Sequence, residues 1–126
     1  MDLDELINQS RLAKSKSYSP YSKFKVGSAL LLKDGSVVLG CNIEDASYST
    51  TICAERCAIF KAISEGQRDF LKIVVATDSA EPSFPCGSCL QVMVEFCDEN
   101  FQVILANSHS HKVYTLKDLI PYPFKL

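Results

Sequence analysis

Two short strings carry reactive side chains at spacings that can work together: Cys53-Ala54-Glu55-Arg56 and Pro85-Cys86-Gly87-Ser88-Cys89. Each falls where a loop enters a run of helix-forming residues. The start of a helix offers unpaired N–H groups and the positive end of its dipole, and both favour thiolate over thiol. Cys86 and Cys89 are three apart, so within a first helical turn both sulfurs can face one point. A third thiolate from Cys53 would complete a three-sulfur grip on a soft or borderline ion, for which zinc is the usual occupant. Three protein ligands leave the fourth tetrahedral position to water, whose pKa zinc lowers to about 7. Glu55 is the acid nearest these ligands in sequence and is the candidate proton shuttle. Three thiolates weaken zinc as a Lewis acid. Arg56 is placed in sequence to donate hydrogen bonds to the ligand sulfurs and draw that charge back.

The same residues admit other readings. Cys57 lies one helical turn after Cys53, so Cys53, Cys57, Cys86 and Cys89 could close a four-sulfur structural site, the staple of a zinc interaction module. A regular helix also sends Cys53 and Glu55 about 200° apart around its axis, so their convergence requires an irregular helix start. Cys86 and Cys89 alone make a Cys-x-x-Cys redox pair, which leaves Cys53, Glu55 and Arg56 without a role. His109 and His111 have no acidic or thiol partner nearby in sequence and read as solvent-exposed. Cys41 and Cys97 read as core packing, and beside a catalytic zinc so does Cys57.

Elements able to position the strings are legible along the chain. Residues 2–15 place Leu3, Leu6, Ile7, Leu12 and Ala13 at helical spacing among charged residues. Val26 to Leu32 reads as a mostly buried strand, Lys33-Asp34-Gly35-Ser36 as a hairpin turn, and Val37 to Ile43 as the returning strand. Cys53 to about Ser64 is a helix apolar on most sides, ended by Gly66. Leu71 to Ala76 is a short apolar strand, Asp78 to Pro85 a loop, and Pro85 to Cys97 a third helix. Phe101 to Ala106 is a further strand, Val113-Tyr114-Thr115 a candidate last one, and Pro121 to Leu126 an irregular tail. This order predicts an α/β fold: a three-layer α-β-α sandwich with a mixed sheet of about five strands.

Composition narrows the function. With 126 residues the chain fits one domain, residues 1–126, without repeats or linkers. A net charge of −2 and a pI near 5.6 disfavour binding of nucleic acid. Five basic residues between 11 and 25 read as a solvated face rather than a polyanion site. No apolar run approaches the ~18 residues of a membrane span. The opening Met1-Asp2-Leu3-Asp4-Glu5 lacks the basic start of a secretory signal, so a cytoplasmic location is expected. In a reducing compartment, six cysteines point to metal or redox chemistry rather than disulfides.

A Cys-x-Glu string followed by Pro-Cys-x-x-Cys is the signature of the zinc nucleoside and nucleobase deaminases. The chain most resembles the small, homotetrameric cytidine deaminases, over nearly its whole length. Tyr21-Ser22-Lys23-Phe24-Lys25-Val26-Gly27 is similar to that family's substrate-binding segment. Cys41-Asn42-Ile43-Glu44-Asp45-Ala46-Ser47-Tyr48 is similar to its ribose-binding strand and following loop, and Pro121-Tyr122-Pro123-Phe124 to its site-closing tail.

The resemblance implies one zinc per subunit on Cys53, Cys86 and Cys89, with Glu55 as acid and base and Arg56 supporting the sulfurs. It implies Asn42 and Glu44 on the ribose hydroxyls, Phe24 on the pyrimidine ring and backbone groups of Ala54 on its polar edge. Tyr48 and Phe124 would enter from adjacent subunits of a homotetramer. Asn42 and Glu44, two apart on a strand, also project from one face on backbone grounds alone. The implied reaction is hydrolytic deamination of cytidine and deoxycytidine by zinc-bound hydroxide, releasing ammonia, in pyrimidine salvage. A cytosine-containing antibiotic nucleoside such as blasticidin S is the alternative substrate. Two positions depart from the family's frequent pattern. Leu90 stands where Arg often follows the second cysteine, which shifts charge compensation towards Arg56, and Asp45 stands where Asn is frequent.

Overall fold

The computed structural model describes residues 1–126. Helix α1 (Leu3–Lys14) is opened by Asp2, whose carboxylate accepts the Glu5 N–H at 2.8 Å. Strands β1 (Val26–Leu32) and β2 (Val37–Cys41) form the expected hairpin, with Gly35 at φ +91° in its turn. Helix α2 (Ala54–Ser64) leads to β3 (Phe70–Thr77), and α3 (Gly87–Phe96) leads to β4 (Gln102–Ala106) and β5 (His111–Thr115). A four-residue helix, α4 (Leu116–Leu119), follows at once. The sheet order is β2-β1-β3-β4-β5, with β3 and β4 parallel and every other neighbouring pair antiparallel. Period-two alternation sends Ala29, Leu31, Val74, Ala76 and Ile104 to the α1 face, and Leu30, Leu32, Ile73, Val75 and Val103 to the face covered by α2 and α3. The mixed five-stranded, three-layer α/β sandwich is therefore as expected.

Several boundaries differ from the sequence reading. Strand β2 stops at Cys41, and Ile43 makes only isolated bridges to Tyr18 and Ile52. Helices α2 and α3 begin one and two residues later than expected, because Cys53 and Cys86 are extended N-caps rather than helical residues. On α1, Leu6, Ile7, Ser10 and Ala13 are buried while Leu12 is 54% exposed, since the stripe through 6, 10 and 13 leaves position 12 off the sheet-facing side. The short α4 was not expected. It is held by a capping box in which Thr115 accepts from the Asp118 N–H and Asp118 accepts from the Thr115 N–H.

This topology brings the two reactive strings together. Strands β2 and β3 are both antiparallel to β1 and so run the same way, with Cys41 and Ala76 facing Gly27 from either side. The loops leaving their carboxyl ends open α2 and α3 at one end of the sheet, where ligands of α/β folds collect. Gly40 sets the closeness of β2 to α2. A Cβ there would fall against the Ala54 carbonyl, 2.6 Å from the Ala58 nitrogen and 2.9 Å from the Ser28 hydroxyl. Gly40→Ala is therefore expected to destabilise the protein by about 3 kcal/mol, the upper part of the overpacking range. A lower urea midpoint at unchanged slope checks this.

Candidate active site

Cys53 caps α2 with φ −77° and ψ 156°, and Cys86 caps α3 with φ −70° and ψ 166°. Neither thiol is spent on capping its own helix, so both sulfurs turn outward from helix starts that favour thiolate. Cys89, one turn into α3, is fully buried. The Cys53 and Cys86 sulfurs are 3.8 Å apart, Cys86 and Cys89 are 3.6 Å apart, and all three lie within 4.8 Å of one another. Zinc–sulfur bonds of about 2.3 Å in a tetrahedron need sulfurs about 3.8 Å apart. The triangle therefore fits zinc.

Arg56 Nη2 donates to the Cys53 sulfur at 3.3 Å, while Nε of the same guanidinium is buried without an acceptor. Its donors thus exceed what the neutral thiols use, as a cluster carrying thiolate charge requires. The adjoining Cys89 thiol and Arg56 hold Cys53 down to about 5 against the opposing pull of burial. Cys89 is driven up by the same contact with Cys53 and by its own burial.

Glu55 is only 4% exposed, and burial pushes its carboxyl up to about 7. It can hold or release a proton at neutral pH, as an acid–base shuttle must. Its convergence with Cys53, which a regular helix forbids, follows from the extended backbone of the Cys53 cap. The two share a cavity of about 290 Å3 whose lining includes Phe24, Asn42, Glu44, Ala54 and Cys86. That is the small end of the range for small-molecule sites. Ala54 is fully buried and its carbonyl accepts from the Ser28 hydroxyl at 2.7 Å. Of its two backbone groups, the N–H at the helix start is the one open to a ligand.

Asn42 and Glu44 point into the cavity from irregular backbone, past the end of β2, rather than from the strand expected. Both already hold the segment before β1. Asn42 Oδ1 accepts from the Val26 N–H at 3.0 Å and from the Ser17 hydroxyl, and Nδ2 donates to the Phe24 carbonyl at 2.7 Å. One amide N–H of Asn42 is left for a ligand. Glu44 accepts the N–H groups of Tyr21 at 3.0 Å and Ser22 at 3.1 Å, and the Ser22 hydroxyl. These bonds, the hydroxyl first, hold its carboxyl below the usual range.

Tyr48 and Phe124 do not line this cavity. Tyr48, at φ 60°, stacks edge-on against Tyr21 and borders an adjoining cavity with Ser22, Glu44 and Thr51. Phe124 lies in the tail, its carbonyl accepting from Gln91 of α3 at 2.9 Å. Both rings are largely exposed. Cys57 stays outside the sulfur cluster and lines a separate cavity with Cys41, Gly40 and Lys16. It is half-buried there, not core, and the four-sulfur site is not formed. Cys41 likewise sits half-buried at the β2 edge, donating to the Lys16 carbonyl, whereas Cys97 packs on the main core, where burial pushes it up to about 12. His109 and His111 are exposed. Thr77, Ser83 and Phe84 are among the lining residues that were not expected there. They belong to no motif; Ser83 and Phe84 are signalled only by adjacency to Pro85-Cys86, and Thr77 only by its place at the end of β3.

Residues 1–105 match the family described as the cytidine and deoxycytidylate deaminase zinc-binding region. The chain is 49% identical over 125 residues to the cytidine deaminase of Halalkalibacterium halodurans, covering 98% of this chain and 95% of that one. It is 50% identical over 107 residues to the cytidine deaminase of Sporosarcina psychrophila, covering 85% and 79%. The crystal structure of cytidine deaminase from Burkholderia pseudomallei superposes with a TM-score of 0.95 at 42% identity, over 98% of this chain and all of that one. A three-cysteine triangle of the size zinc requires with a buried glutamate beside it, and relatives of this likeness, establish that the chain belongs to the zinc-dependent cytidine and deoxycytidylate deaminase family.

Proposed function

We propose that the protein deaminates cytidine and deoxycytidine hydrolytically, to uridine and deoxyuridine with release of ammonia. The observation that carries this is the opening of one cavity onto the sulfur triangle, the buried Glu55 and the pair Asn42 and Glu44. Cys53, Cys86 and Cys89 would hold zinc, which when bound polarises water and stabilises negative charge on oxygen at C4. Glu55 takes a proton from the attacking water and delivers it to N3 of the pyrimidine. A second proton passes through the same carboxyl to the exocyclic amine, the C4–N bond breaks, and ammonia leaves. The Ala54 N–H meets the polar edge of the base and Phe24 packs on its ring. Glu44, and the remaining amide N–H of Asn42, hold the ribose hydroxyls.

Residues 1–126 form one catalytic domain in this reading. Tyr48 and Phe124 would complete a neighbour's site in a homotetramer, a reading supported by the exposure of both rings outside their own chain's cavity. No helix is long and apolar enough to cross a membrane. A cytoplasmic role in pyrimidine salvage is consistent with the acidic charge balance and the free thiols.

The test is the absorbance change of cytosine becoming uracil when cytidine is added. Turnover is expected with zinc-replete protein, none after chelation, and recovery when zinc is restored. Silence from folded protein carrying one zinc per chain would overturn the cytidine reading and point to an antibiotic cytosine nucleoside.

A further inference from the structure

The loop between β3 and α3 brings a second aromatic ring to the nucleoside cavity. Phe84 lines it together with Phe24, Asn42 and Glu55. Its ring packs edge-on against Tyr114 of β5, with centroids 5.4 Å apart and planes at 61°. Tyr114 itself packs against the main core, so one side of the Phe84 ring is fixed by the sheet. The loop beneath is pinned as well. The Thr77 and Ser79 hydroxyls are 2.8 Å apart, the Ser79 and Ser83 hydroxyls 2.9 Å apart, and the Ser79 hydroxyl also donates to the Glu81 carbonyl at 2.5 Å. Pro85 further restricts Phe84 to extended backbone. Yet Phe84 remains 58% exposed and outside both core clusters. A large apolar ring held in place, contributing little to the core and open to a ligand cavity, is a contact formed before the ligand arrives.

We propose that Phe84 is a substrate-contacting residue that sets affinity for the flat pyrimidine ring, forming with Phe24 the aromatic lining of the base pocket while Tyr114 holds it there. This rests on the deaminase reading. Stacking on a ring face acts on the bound substrate whether or not C4 has reacted, so the contribution falls on KM and leaves kcat nearly unchanged.

Steady-state kinetics with cytidine test this on the zinc-replete protein. Phe84→Ala is expected to raise KM about tenfold, within what a base–aromatic stack contributes, with kcat within about twofold. Phe84→Tyr restores KM because it keeps the ring. Phe84→Leu does not, because it supplies bulk without a flat face. Tyr114→Ala raises KM by a smaller factor by loosening the ring. An unchanged KM in Phe84→Ala overturns the proposal, as does full rescue by Leu or a KM rise that only follows dissociation of the assembly. Unchanged urea unfolding confirms that the variant is folded. Failure of the wild-type protein to turn over cytidine would sink the deaminase reading itself, so the two failures are distinguishable.

Discussion

Glu55→Gln is expected to lower kcat for cytidine by about 10²–10⁴-fold, the contribution typical of a positioned acid–base group, while the protein keeps its full complement of zinc. In the proposed reaction both proton transfers, the first from water to N3 and the second to the departing amine, pass through this carboxyl. The cavity offers no substitute. Glu44, the other carboxylate lining it, is occupied by the Tyr21 and Ser22 N–H groups and the Ser22 hydroxyl, and is held below the usual range. It stays ionised and engaged at neutral pH, so it cannot donate a proton. The amide of Gln occupies nearly the same volume and carries no charge to desolvate, so folding is not penalised at a site where burial already pushes the acid up to about 7. Metal retention follows from the three sulfurs, which are carried by the caps of α2 and α3 and the first turn of α3. Initial rates and metal analysis on the same sample check both halves. Full turnover in the variant would remove Glu55 from the mechanism.

Much of this site was legible before any coordinates, because its parts obey local rules. The two strings sit at helix starts, where sulfur spacing and dipole act together, and Phe24, Asn42 and Glu44 fall in segments whose family likeness is carried by short contiguous motifs. What was not legible depends on contacts distant in sequence. The agreement of Cys53 with Glu55 needed the extended cap of α2. The depletion of Asn42's hydrogen-bonding capacity needed Ser17, Phe24 and Val26 to fold across it. Phe84 needed Tyr114, thirty positions on, to hold it over the cavity. Leu12 misled because helical spacing marks an apolar residue but not which side the sheet takes, while buried Ser10 satisfies its hydroxyl on the Ile7 carbonyl at 2.6 Å. The Thr115-x-x-Asp118 box was readable as a helix start, but four residues show no periodicity to support it.

The cysteines divide by the same logic, and a pair of substitutions separates them. Cys89→Ala is expected to abolish turnover by releasing the metal. Two thiolates on loop-borne caps remain, without the buried sulfur that closes the triangle. Loss of a residue merely supporting a ligand costs about 10–100-fold in metal affinity, and loss of a ligand costs more. Cys57→Ser, by contrast, is expected to keep one zinc per chain and near-normal rates. One turn separates Cys57 from Cys53, and on a regular helix they would share a face. Cys53, however, is the cap, with ψ 156°, so its sulfur leaves the helix towards Cys86 while Cys57 faces Cys41 and Gly40. Zinc content by metal analysis, with rates on the same samples, reads both variants. Loss of zinc from Cys57→Ser would mean a closed four-sulfur site with no position for water. Retention there together with loss in Cys89→Ala leaves the fourth coordination position open, and hydrolysis requires that opening.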